Sequence, residues 1–67
     1  MTDTKLLRKI IQDKGVKLKF IATELGITTN GLRLKIDNDN EFKASEIAKL
    51  LDILELNEDQ LHKIFFA

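Results

Sequence analysis

The stretch "ITTNGLRLKI", Ile27 to Ile36, decides the fold. Asn30-Gly31 between apolar residues is a strong hairpin signal, and Leu32, Leu34 and Ile36 alternate with the period of a strand. Leu32 and Ile36 are also four residues apart, the spacing of one helix face, and Thr28 offers a hydroxyl to cap a helix starting at Thr29. The helix is the better reading. A hairpin would leave two strands alone among helices, and an isolated hairpin is marginal in water. Its first arm, "ITT", would carry a single apolar residue. The helix gives every neighbour a role: Gly26 closes the preceding element, Ile27 packs, Thr28 caps, and Leu32 and Ile36 face inward.

Upstream, Leu18, Ile21, Ala22 and Leu25 follow the helical period and predict a helix over 18–25. Leu6, Leu7, Ile10 and Ile11 predict another over about 3–14, with Thr2 or Thr4 near its cap, Gly15 just beyond its end, and Val16 packing inward from the link. Downstream, "DNDN" (Asp37 to Asn40) is a loop by composition, and Phe42 anchors the chain after it. Ile47, Ala48, Leu50, Leu51 and Leu54 predict a helix over about 44–54. Its start is ambiguous, because Lys43 is a poor cap and Ser45 a better one placed late. Asn57 with Gln60 forms a capping-box pattern, opening a short last helix that carries Leu61, Ile64 and Phe65. The expected fold is a single all-α, five-helix bundle containing a helix-turn-helix.

A chain of 67 residues holds one domain, whose core is marginal unless it packs efficiently or meets a partner. Without cysteine there is neither a disulfide nor a thiolate metal site, and with no proline and three glycines a turn-rich β-sandwich is disfavoured. No apolar run approaches the roughly 18 residues of a membrane span, and the N-terminus does not read as a signal peptide, so the expectation is a cytoplasmic protein without membrane contact. His62 is the only histidine, Ser45 has no evident base, and no glycine-rich phosphate loop is present. "DNDNE" lacks the glycine and the terminal glutamate of a calcium loop. No enzyme, cofactor, metal or small-molecule substrate is expected.

Net charge is zero but polarised. Residues 1–35 carry eight Lys/Arg against three Asp/Glu, and residues 36–67 carry three against eight. Such a chain can turn one side to a polyanion.

Gly15, Val16, Ile21, Ala22, Leu25, Gly26, Ile27, Thr28, Leu32 and Ile36 match, in spacing and type, the helix-turn-helix of the Cro and phage-repressor family, also called XRE-like. Phe42, Ser45, Glu46, Lys49, Leu50, Leu54, Leu56 and Asn57 match its following segment, so the chain resembles that family over nearly its whole length. The resemblance implies a lambda repressor-like domain, phage- or prophage-encoded, regulating transcription by laying its third helix in the major groove of double-stranded DNA. The residues expected to reach base edges are Thr29, Asn30, Arg33 and Leu34; asparagine matches adenine and arginine matches guanine bidentately. Lys17, Lys19, Lys35 and Lys43, with Thr28 as a short donor, are expected to hold phosphates. The family also implies a homodimer spacing two recognition helices by about 34 Å. Ile53, Leu61, Phe65 and Phe66 are the candidate contacts, although adjacent Phe65 and Phe66 cannot both face one core.

Gly31 admits two readings, close approach to the DNA backbone or a weak first turn. Leu34 admits three: thymine contact, core filling or subunit contact. The chain departs from the family at Leu18, where glutamine is usual, at Phe20, where a polar residue is usual, and in the loop carboxylates Asp37, Asp39 and Glu41, which would repel a phosphate backbone. These departures define the rival expectation, a helical protein-interaction module of the same fold without DNA affinity.

Overall fold

Within Ile27–Ile36 the ambiguous stretch resolves as a turn followed by a helix. In the computed structural model, which describes residues 1–66, Thr28 is extended and its Oγ1 accepts the Gly31 N–H at 2.9 Å, the bond expected of an N-cap. The helix it starts, α3, runs Thr29–Ile36. The others are α1 (Thr4–Lys14), α2 (Leu18–Leu25), α4 (Ala44–Ile53) and α5 (Glu58–Phe65), with no strand among the described residues. None is long and apolar enough to cross a membrane.

Each helix boundary has a local cause. Gly15 and Gly26 take left-handed φ of 69° and 72°, ending α1 and α2 in the conformation that glycine adopts without steric cost. Asn57 accepts the Gln60 N–H while Gln60 accepts the Asn57 N–H, so the expected capping box of α5 is present. Two boundaries differ from expectation. The cap of α1 is Asp3, which accepts from Leu6 N–H, rather than Thr2 or Thr4. α4 starts at Ala44 as expected, with Lys43 at its N-cap, a residue that has no acceptor to offer. Glu46 supplies the side-chain bond there, accepting the Lys43 N–H at 2.7 Å. α4 stops at Ile53, one residue short of the expected end, and Glu55 then takes a left-handed φ of 52°.

The inward faces of all five helices meet in one core, in which Leu7, Ile21, Leu32, Ile36, Leu50, Leu54 and Ile64 are fully buried. Val16 packs on it from the link, as its apolar character requires. α3 lies against α2 and α1, α2 also meets α4, and α1 also meets α5. The far end of α3 is tied to the start of α1. Thr4 Oγ1 donates to the Ile36 carbonyl at 2.7 Å, and Asn38, at a left-handed φ of 66°, accepts the Thr2 N–H and donates to the Thr2 carbonyl. Thr2 and Thr4, set aside as caps, instead hold the base of α3 in place.

Candidate nucleic-acid interface

The geometry starts at a three-residue turn. Gly26 and Ile27 donate to the Thr23 and Ala22 carbonyls, closing α2, and Thr28 opens α3. Two short helices are thereby fixed across Gly26–Thr28, which is the helix-turn-helix unit. Leu32 and Ile36 take the inward face of α3, with no exposed surface. The helical period then leaves Asn30 and Arg33 exposed on its outer face, with Thr29 half-buried beside them. Leu34 is half-buried without joining the residues packed on the core, so core filling is not its role.

Gly31 has a structural explanation. A Cβ built there would lie 3.1 Å from Thr28 Oγ1, so the missing side chain makes room for the cap hydroxyl. The Thr28 hydroxyl accepts from Gly31 and keeps its own proton for an outside acceptor.

Lys17, Lys19 and Lys43 are exposed, and none joins a salt bridge among the described residues; the same holds for Arg33. Lys17 is also the N-cap of α2 and provides no side-chain acceptor, so the first N–H groups of α2 remain free to meet an anion. Lys35 departs from expectation. Its ammonium lies 2.6 and 2.7 Å from the two Glu46 carboxylate oxygens, with 13% of the side chain exposed, and is thereby withdrawn from the phosphate set. Burial pushes the Glu46 carboxyl up. The Lys35 hydrogen bond, the Lys43 N–H and both ammonium charges pull it down further, leaving it below its ordinary value and ionised.

The loop carboxylates separate into two kinds. Asp37 is paired with Arg8 at 2.8 Å, which draws it toward α1. Asp39 and Glu41 are exposed and join no salt bridge among the described residues. Leu18 is half-buried and packs on the core, whereas Phe20 in the first turn of α2 is 53% exposed.

The expected dimer residues also divide. Phe65 is buried, its ring edge-on to Phe42 at 5.6 Å, and belongs to the core; Phe66 is 62% exposed. Ile53 and Leu61 are half-buried on the core surface. Leu61 and Phe66 line an apolar depression of about 270 Å³ with Ala44, Ile47, Ala48 and Leu51. Ile53 lies outside it. From the sequence, α4 is expected to enter this surface through Ile53; the α4 residues that line it are instead Ala44, Ile47, Ala48 and Leu51, of which Ala44, Ala48 and Leu51 share one face by their helical spacing.

Residues 3–67 match the family described as "Protein of unknown function (DUF739)". No curated protein and no solved structure matches the chain.

Proposed function

The chain belongs to the DUF739 family, and we propose that it is a sequence-specific DNA-binding transcriptional regulator that inserts α3 into the major groove. The observation that carries this reading is the outer face of α3. Asn30 and Arg33 are exposed there on a helix whose opposite face is locked into the core, so neither their position nor their direction costs the domain stability. Asn30 would read adenine and Arg33 guanine, each good bidentate pair discriminating by about 1–3 kcal/mol. Thr29 and Leu34 flank them, one with a hydroxyl and the other with a methyl-rich surface suited to thymine. Lys17, Lys19 and Lys43, the Thr28 hydroxyl and the uncapped start of α2 would hold the phosphates. A second copy meeting through Leu61, Phe66 and the neighbouring α4 residues would set two such faces against two half-sites.

The test is titration of labelled random-sequence DNA at low and moderate salt, followed by selection of bound sites from a random pool. Binding should weaken with salt at a log–log slope near −3 per subunit, since about three lysines remain after the loss of Lys35. Arg33→Ala and Asn30→Ala should each relax sequence preference without lowering thermal stability. No binding at low salt, or binding indifferent to both substitutions, would refute the reading. The apolar α4–α5 surface favours a second reading, a module that docks a partner helix. A partner complex that survives high salt, together with absent DNA binding, would support it.

A further inference from the structure

We propose that Asn30-Gly31 is a spontaneous deamidation site, that the Thr28 hydroxyl latches it shut, and that its opening converts the outer face of α3 from one that accepts a polyanion to one that repels it. The last clause rests on the DNA-binding reading; the first two do not.

The chemistry needs only the chain and water. The Gly31 backbone nitrogen, once deprotonated, attacks the Asn30 side-chain carbonyl carbon. A carbon–nitrogen bond forms, ammonia leaves, and a five-membered imide results. Water then opens either carbonyl, giving aspartate or isoaspartate. Nothing is oxidised or reduced. Glycine after asparagine is the most permissive partner because no side chain shields the attacking nitrogen. Asn30 is exposed and open to water.

What restrains the reaction is specific to this fold. Gly31 is in the first turn of α3, so its N–H has no partner within the helix. Thr28 Oγ1 takes that N–H at 2.9 Å. The bond holds the proton that must leave, so the nitrogen stays protonated while the cap is closed. Ring closure also requires the Asn30 backbone to leave helical geometry. Loss of the cap hydroxyl therefore releases the nucleophile and loosens the turn together. Gly31, the poorest ordinary helix former, sits where that loosening is easiest. The missing Cβ serves both sides, letting Thr28 Oγ1 approach and leaving the nitrogen unshielded once it retreats.

The product fits the fold and opposes the ligand. An aspartate in the first turn is favoured by the positive end of the helix, so α3 survives the conversion. The same carboxylate sits on the outer face beside Arg33, where it repels phosphate and cannot donate to adenine N7. Isoaspartate adds a backbone methylene and breaks the turn.

The full chain, incubated at mildly alkaline pH, is mapped by peptide mass spectrometry for aspartate and isoaspartate at position 30, folded and in guanidinium. The folded chain should react far more slowly than the denatured one. Thr28→Ala should speed the folded reaction by roughly 2- to 30-fold, the factor equivalent to a lost cap. Thr28→Gly, which costs the helix little, should also speed it, so a poorly folded alanine variant does not obscure the answer. Gly31→Ala should slow the denatured reaction. A folded rate equal to the denatured rate, or folded Thr28→Ala and Thr28→Gly proteins no faster than wild type, would overturn the latch. Asn30→Asp should keep its melting temperature and bind DNA about 5- to 150-fold more weakly; undiminished binding would overturn the switch. If the wild type binds no DNA, the functional reading fails, while the latch is still decided by the mass spectra.

Discussion

Replacing Glu46 by alanine should be among the most damaging single changes available outside the apolar core. The carboxylate accepts three hydrogen bonds from two partners: both oxygens meet the Lys35 ammonium, and one of them also accepts the Lys43 N–H that starts α4. Both side chains are nearly sealed, at 13% and 7% exposure. Truncation strands an ammonium in the interior, and breaking a buried pair from one side costs about 3–5 kcal/mol. Loss of the α4 cap adds to this, typically about 1 kcal/mol. The whole domain, at 67 residues, has roughly 3–10 kcal/mol to lose. Glu46→Ala should therefore lower the melting temperature by at least about 12 °C, or prevent folding.

The double variant Lys35→Met/Glu46→Gln separates pairing from capping. Glutamine still accepts the Lys43 N–H, methionine fills the lysine stem's place, and no charge is left inside. Its stability should fall within about 1 kcal/mol of wild type. Urea unfolding of wild type, both single variants and the double closes the cycle, with an expected coupling of about 2–3 kcal/mol. A Glu46→Ala cost below about 1 kcal/mol, or a coupling below about 0.5 kcal/mol, would refute the reasoning. Lys35 would then be free in solution and would rejoin the phosphate-binding set. The same pair predicts the acid response. Because the Glu46 carboxyl is lowered in the folded state, its contribution is complete above its ordinary value of 4.5 and is lost as pH falls through its lower folded value. Between about pH 5 and pH 3 the wild type should lose more stability than the double variant.

Other outcomes follow from single features. Glu55→Gly relieves the left-handed φ after α4 and should raise stability by about 0.5–1 kcal/mol, read as a higher urea midpoint at unchanged slope. Asn38→Ala loses both the side-chain bonds to Thr2 and the tolerance for left-handed φ, whereas Asn38→Gly loses only the bonds; the alanine variant should be the less stable by about 1–2 kcal/mol. Phe65→Ala should cost about 3–5 kcal/mol, whereas Phe66→Ser should leave the melting temperature nearly unchanged and weaken self-association in sedimentation velocity.

The helix-turn-helix was legible because its punctuation is local. Gly26 and Thr28 bracket the turn, and α2 and α3 have the bounds that their apolar period predicts. The opposite fates of Phe65 and Phe66 follow from the 100° between neighbours on a helix. What the sequence hid depends on packing between elements. Lys35 and Glu46 are 11 residues apart on different helices, and no spacing rule links them; only the approach of α3 to α4 does. The cap of α1 was hidden for another reason. Thr2, Asp3 and Thr4 are all competent caps by type; Asp3 takes the role, while the Thr4 hydroxyl is drawn to the Ile36 carbonyl and the Thr2 backbone to Asn38, both distant in sequence.

Two tertiary ion pairs, Arg8–Asp37 and Lys35–Glu46, also change how the acidic half of the chain bears on DNA. In the sequence, the loop carboxylates Asp37, Asp39 and Glu41 argue against a polyanion partner. In the fold, two carboxylates beside α3 are already spent: Asp37 on Arg8, and Glu46 on Lys35. Each pairing consumes one acid and one base and leaves the net charge unaltered, but it changes which charges face outward. Around α2 and α3 the groups outside any ion pair among the described residues are Lys17, Lys19, Arg33 and Lys43 against Glu24, Asp39 and Glu41, a surplus of one positive charge. The local balance therefore still favours an anion. It rests on few groups, so one added carboxylate at position 30 or one lost lysine should shift affinity visibly. On a strongly basic domain the same change would be diluted by its neighbours.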